Sequence, residues 1–233
     1  MKPTERLADA SAPDGSVLTL YRHDGAYVMR LNGVELMSTR RVHSEVQLAG
    51  LACASLRERS GASVLIGGLG FGATLRAALQ LLASDARVMV AELLQDVIDW
   101  NLNPDWSLAG DVMHDPRVQM RRDDVLNVLR EHSSGFDAIM LDVDNGAEPF
   151  TTGSNRALYS EKGIRTARAA LRPGGRLAYW SVDAEPAFVR TLERTGLTVT
   201  VHRVRSHATS GGYNHIILGQ LGASQAFASG KHR

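Results

Sequence analysis

The sequence predicts an α/β chain: a mostly parallel sheet covered by helices on both faces, finished by an antiparallel pair and preceded by a small antiparallel β meander. Three observations predict it. From Ser63 onward, apolar strand segments alternate with amphipathic helical segments, the pattern of a parallel sheet with crossover helices. Two later strand segments follow one another with no helix between them. Near the start, three short runs of β-type alternation are separated by Asp24-Gly25 and Asn32-Gly33, the dipeptides that most favour two-residue hairpins.

Taken in order, the first fifteen residues are polar, with Pro3, Pro13 and Gly15, and predict a loose arm, with order beginning at Val17. The meander covers SVLTLYRHDGAYVMRLNGVELMS. Val46, Leu48, Leu51, Ala52 and Leu56 then recur at helical spacing behind Ser44, which reads as an N-cap. The strands of the α/β part are SVLIGG, RVMVAE, RVQMR, FDAIMLDV and GRLAYWSV. Helices between them are predicted over roughly 73–83, 94–103, 124–132, 157–171 and 185–195. LTVTVHRVR and YNHIILGQL form the terminal antiparallel pair. The resulting division is 1–58 for arm, meander and connecting helix, 59–222 for the α/β domain, and 223–233 for a polar tail.

Composition narrows the function classes. The 233 residues are 44% hydrophobic and 22% charged, with 26 basic against 25 acidic residues, so a folded chain is expected rather than a disordered one. A net charge of +1 gives no basic stripe for nucleic acid. The opening residues lack the apolar core of a signal peptide and no run is long enough to span a membrane, so a cytoplasmic location is expected. Cys53, the single cysteine, lies in an apolar helical pattern and reads as a buried hydrophobe.

The chemistry gathers at strand ends. The first α/β strand runs into Gly67-Gly68-Leu69-Gly70-Phe71-Gly72 directly before a helix. Glycines let backbone turn and approach a ligand, and the helix N-terminus supplies free N–H groups. The GxGxG spacing differs by one residue from the dinucleotide fingerprint, which argues against a nicotinamide oxidoreductase. Glu92 ends the second strand twenty residues after Gly72, the place of a carboxylate that accepts ribose hydroxyls. Asp123 and Asp124 follow the third strand; Asp123 reads as the helix cap and Asp124 as an acceptor for an adenine amine. Asp142 and Asp144 end the fourth strand with Glu148 just beyond. Ligands of open α/β sheets bind past the carboxyl ends of the strands, and clustered acids there suit a cation: a sulfonium, an amine or, less well without a nearby histidine, a metal. No metal is assigned.

Together these residues resemble the spermidine synthase family, the aminopropyltransferases, over about residues 16–220. The resemblance rests on the meander, the Ser44-Glu45 helix start, the glycine loop where the family has GGGDGG, Glu92, Asp124, the strand-four acids, and ALYSEKGIRTARAALRPGG against LF-x-x-EFY…L-x-x-GG. LMSTRRVHSE, GGLGFG, LDVDNG and the His215 strand are similar to bacterial proteins described as spermidine synthase-like. The resemblance implies a Rossmann-like class I methyltransferase sheet and S-adenosylmethionine, or its decarboxylated form, as cofactor, held by Gly67, Gly68, Gly70, Gly72, Glu92, Asp124 and Asp142.

Three departures bear on the acceptor. The acid of the family's glycine loop is set against Phe71 here. The DSSDP acid pair is matched by Asp142 and Asn145, with Asp144 one residue early. The tyrosine of the Y-[HQ]-E stretch falls on His43, followed by Ser44 and Glu45. Putrescine is therefore not the expected acceptor. The expectation is a transferase acting on a small nucleophile, with Asp142 as base or amine ligand, Asp144 second, and His43, Glu45, Glu148, Tyr159 and Trp180 around the acceptor; His215 reads as a hydrogen-bonded strand residue. Methyl transfer from S-adenosylmethionine and a non-catalytic nucleoside-binding module are the alternatives, and the open edges of the meander suit a homodimer.

Overall fold

In a computed structural model, residues 3–106, 108–143, 153–209 and 211–223 are described. Two sheets build the chain. The first is antiparallel, in the order β1-β2-β3-β4: β1 (Thr4–Ser11), β2 (Val17–His23), β3 (Ala26–Leu31) and β4 (Val34–Ser38). Asp24 and Gly25, and likewise Asn32 and Gly33, have positive φ, which type I′ hairpin turns require of both central residues.

The strand β1 corrects the expectation of a loose arm. TERLADAS contains few apolar residues, yet it pairs antiparallel with β2 from Thr4↔His23 to Ser11↔Val17. Its polar side chains are what hold it. Arg22 donates to Glu5 across the strands at 2.7 Å, and the Thr19 hydroxyl donates to Asp9 at 2.8 Å, while Ala10 is buried against the core. Cross-strand pairs of this kind stabilise a sheet without an apolar pattern.

Helix α1 (His43–Ala52) bridges to the second sheet. Its N-cap is Val42, with no side-chain cap. Ser44 is instead buried inside the first turn, where its hydroxyl donates to Glu45 Oε2 at 2.7 Å and accepts from Asn214 Nδ2 at 3.2 Å.

The second sheet has the order β10-β11-β9-β8-β5-β6-β7. Its parallel strands are β5 (Ser63–Gly67), β6 (Arg87–Glu92), β7 (Val118–Arg122), β8 (Phe136–Leu141) and β9 (Leu171–Ser181). The expected terminal pair, β10 (Thr198–Arg205) and β11 (Tyr213–Gln220), is antiparallel, and β11 also runs antiparallel to β9. Between the strands lie α2 (Ala73–Leu81), α3 (Gln95–Leu102), α4 (Val125–Glu131), α5 (Gly153–Tyr159), α6 (Glu161–Ala170) and α7 (Pro186–Arg194). The single helix expected over 157–171 is thus two. Ser160 breaks it by capping α6, accepting from the Gly163 N–H at 3.1 Å.

Two cores flank the sheet. One contains α1, α2 and α3 and continues without a break into Leu18, Leu20, Met29 and Leu31 of the N-terminal sheet. The other holds α4 to α7. Cys53 is fully buried in the first core, and burial pushes its thiol up to about 12, so it is an inert packing residue. At the amino end of β8, buried Asp137 accepts from the Ser63 N–H and from Arg172, and pairs with Arg59, which satisfies a charge that would otherwise be costly to bury. Among the described residues, no helix is long and apolar enough to cross a membrane.

Candidate functional site

A cleft opens beyond the carboxyl ends of β5, β6 and β8. One wall consists of Gly68, Gly70, Glu92, Asp123, Asp124 and Asp142; the opposite wall is apolar and comes from Leu18, Met29, Leu31, Leu36 and Met37 of the N-terminal sheet. The glycine loop leaves β5 with Gly68 at φ +89°, and a Cβ there would lie 2.3 Å from the Asp142 carbonyl oxygen. Only glycine fits a left-handed residue wedged between two strand ends. Gly67 and Gly72 do not line the cleft. A Cβ at Gly67 would meet Val125, and one at Gly72, the N-cap of α2, would meet Ala109. Those two glycines serve the packing of the loop, whereas Gly68 and Gly70 face the cleft.

The loop also corrects one alignment. Position by position against GGGDGG, the family's acid stands opposite Gly70 rather than Phe71. Phe71 is buried in the first core and lines a separate groove between α1 and α2. At Gly70, the place a side chain would take is occupied by Met37, whose sulfur lies 3.0 Å from where a Cβ would sit.

Glu92 holds the loop in shape. Its Oε2 accepts from the Leu69 N–H at 3.0 Å and its Oε1 from the Leu94 N–H at 2.9 Å. Burial raises its pKa and those N–H groups oppose the rise. Each oxygen retains a lone pair for a further donor. Asn101, unremarked in the sequence, is fully buried behind the loop: its Nδ2 donates to the Gly70 carbonyl at 2.9 Å, and its Oδ1 accepts from the Ala109 N–H at 3.0 Å.

The two aspartates after β7 exchange the roles expected of them. Asp124 is the N-cap of α4, accepting from the Leu126 N–H at 2.8 Å. Asp123 accepts from the Asp124 N–H and from Asn127, and pairs with Arg121. Asp124 lies where the strand has ended and backbone N–H groups of the first turn point back at it, which makes it the better cap. Both residues still line the cleft.

Asp142 follows the last residue of β8 and accepts from the Thr74 hydroxyl of α2 at 3.1 Å. Burial pushes it up to about 6. Glu45, on α1, is pushed up to about 7 by burial and by the Asp142 carboxylate, against the Ser44 hydrogen bond. Two carboxylates from separate elements therefore share one low-dielectric space, and such a pair takes up a proton near neutral pH. His43 opens the same helix, and Trp180 of β9 packs into the core beneath it, its indole Nε1 buried with no hydrogen-bond partner among the described residues. Tyr159 is placed differently from the expectation. It packs with Tyr179 and Phe188, at centroid distances of 5.4 and 5.1 Å, in the core on the other face of the sheet, because α5 lies on that face. Asp144 and Glu148 fall outside the described residues.

A Rossmann-like sheet with an antiparallel terminal pair, a glycine loop answered by an acid on the next strand, and an N-terminal β sheet over the cleft define the class of fold. No protein-family model and no curated protein matches the sequence. Solved structures do match in shape. A spermidine synthase in complex with the transition-state analogue AdoDATO superposes with a TM-score of 0.76 at 17% identity, covering 93% of this chain and 74% of that one. The spermidine synthase from Thermotoga maritima gives 0.72 at 17%, covering 93% and 72%, and a probable spermidine synthase from Corynebacterium glutamicum gives 0.66 at 16%, covering 94% and 81%. The fold is that of the spermidine synthases.

Proposed function

We propose that the protein is a transferase that binds S-adenosylmethionine or its decarboxylated form in the cleft and passes an aminopropyl-type alkyl group to a small nucleophile other than putrescine. The observation that carries this is the grouping of Gly68, Gly70, Glu92, Asp123, Asp124 and Asp142 around one cleft on a spermidine synthase fold. The residues suit such a ligand. The left-handed loop brings bare backbone to the cleft at Gly68, and the acids give a negative wall for a positive sulfur. When bound, the sulfonium supplies an electrophilic carbon and a neutral thioether as leaving group.

The chain's own residues then have assignable tasks. Glu92 orients the loop and accepts from ribose hydroxyls, while Asp123 and Asp124 meet the base edge. Asp142 takes the proton that an ammonium nucleophile must lose. With its pKa near 6, it is ionised at neutral pH and remains basic enough to serve. Glu45 faces it from α1 and holds the acceptor's cationic end, beside His43 and Trp180. A small-molecule acceptor, cytoplasmic action and a homodimer formed through the N-terminal sheet belong to the same proposal.

Methyl transfer from intact S-adenosylmethionine is the second reading, favoured by one observation: Met37 fills the corner beside Gly70, so the loop carries no acid for a terminal ammonium. Incubation of purified protein with each nucleoside and a panel of amines separates the two. Methylthioadenosine as product supports alkyl-chain transfer, and S-adenosylhomocysteine supports methyl transfer. Absence of calorimetric binding by both nucleosides overturns the transferase, and binding without turnover on any acceptor supports the non-catalytic module.

A further inference from the structure

The larger sheet ends on β10, whose outer edge pairs with no strand among the described residues. An open edge presents a row of N–H and C=O groups able to accept another strand. Neither β10 (TVTVHRVR) nor β11 (YNHIILGQ) carries an acid. Arg203 and Arg205 are two residues apart, so their side chains leave one face of the strand, opposite His215 and Tyr213 of β11. The Arg203 Cζ lies 3.6 Å from the centroid of the Tyr213 ring and the Arg205 Cζ 5.2 Å. Among the described residues, no carboxylate pairs with either guanidinium. Val201, two residues further along the same face, is 41% exposed and Tyr213 is 40% exposed.

An arginine that only keeps an edge from aggregating acts as a solvated, mobile charge. Here one ring gathers two guanidiniums, and stacking occupies a guanidinium's face while leaving its N–H fork free to bind oxyanions in bidentate fashion. We propose that the free edge of β10 is a docking strand for an extended acidic peptide segment, which adds to the sheet and sets two carboxylates, two residues apart, against Arg203 and Arg205. Alternate side chains of an extended peptide repeat at about 7 Å, the same spacing as on β10 itself, so a carboxylate pair stays in register with the arginine pair. Val201 offers an apolar contact to the next residue on that face. A second copy of β10 would bring four guanidiniums together with no acid on either strand. A nucleic acid would need the ring face for base stacking, and Arg203 already covers it.

The test uses the full chain and a fluorescein-labelled eight-residue peptide of alternating glutamate and threonine, compared with the lysine–threonine peptide and a uridine octanucleotide by fluorescence anisotropy in low salt. The glutamate peptide is expected to bind at least tenfold more tightly than either alternative and to slow amide hydrogen exchange across 198–205. Arg203→Gln combined with Arg205→Gln, at unchanged thermal stability, is expected to weaken it at least tenfold. Equal binding of the lysine peptide, preference for the oligonucleotide, an unaffected double variant, or unprotected β10 amides each overturns the proposal.

Discussion

Replacing Glu45 by glutamine removes one of two half-buried carboxylates that face each other, and the shifted pKa gives the sign and the approximate size of the effect. The Glu45 carboxyl rises from its ordinary 4.5 to about 7, first through burial and then through Asp142. At about 1.4 kcal/mol for each pH unit, ionising it in the folded state costs about 3 kcal/mol more than in the unfolded chain. The folded state binds the proton more tightly, so stability conferred by the protonated form is complete below about pH 4.5 and is lost as pH rises to about 7. Glutamine keeps the shape without the charge. Glu45→Gln is therefore expected to be more stable than the parent by about 2 to 3 kcal/mol at pH 7.5 and nearly equal to it at pH 4.5. Urea unfolding at pH 4.5, 6 and 7.5, monitored by circular dichroism, measures this. A variant that is less stable at pH 7.5, or whose advantage is independent of pH, refutes the carboxylate pair.

Asp142→Asn is expected to lower transfer by at least about a hundredfold while nucleoside binding, though weakened, persists, as read by initial rates and calorimetry. Gly68→Ala forces a Cβ to within 2.3 Å of a carbonyl oxygen at φ +89°; a loss of about 2 to 4 kcal/mol in urea unfolding is expected, together with loss of nucleoside binding. Asn101→Asp keeps the acceptor for the Ala109 N–H but sets a carboxylate against the carbonyl oxygens of Gly70 and Val97. The melting temperature is expected to fall by about 5 to 10 °C.

Much of the fold is legible because strand and helix periods differ and glycine punctuates both. The alternation from Ser63, the Asp24-Gly25 and Asn32-Gly33 turns and the terminal pair appear in the structure where their residues predict them. What stays hidden depends on neighbours far along the chain. TERLADAS lacks an apolar stripe because its pairing relies on Glu5 with Arg22 and Asp9 with Thr19, contacts that no local pattern encodes. Ser44 has the chemistry of a cap, but Asn214 of β11 draws it into the interior. The cap at Asp124 turns on where β7 stops, and boundaries are the least certain part of a pattern. Asn101 and Met37 reach the glycine loop only through tertiary structure. Asn101, three residues before Pro104 in NLNP, is a weak hint of the first; nothing marks the second.

The apolar wall of the cleft and the core beneath the N-terminal sheet are the same residues: Leu18, Met29 and Leu31 belong to both. Under the proposed function, selectivity and foldability are therefore not separate variables in this chain. A substitution that reshapes the roof to admit a bulkier ligand also removes or overfills core volume, at a cost of about 1 to 5 kcal/mol. Drift in ligand preference must then travel through compensating pairs, one change at the roof and another in the layer it rests on. Surveys of natural variants or directed-evolution libraries would find such pairs linking residues 18–37 to the face of α3, rather than single replacements.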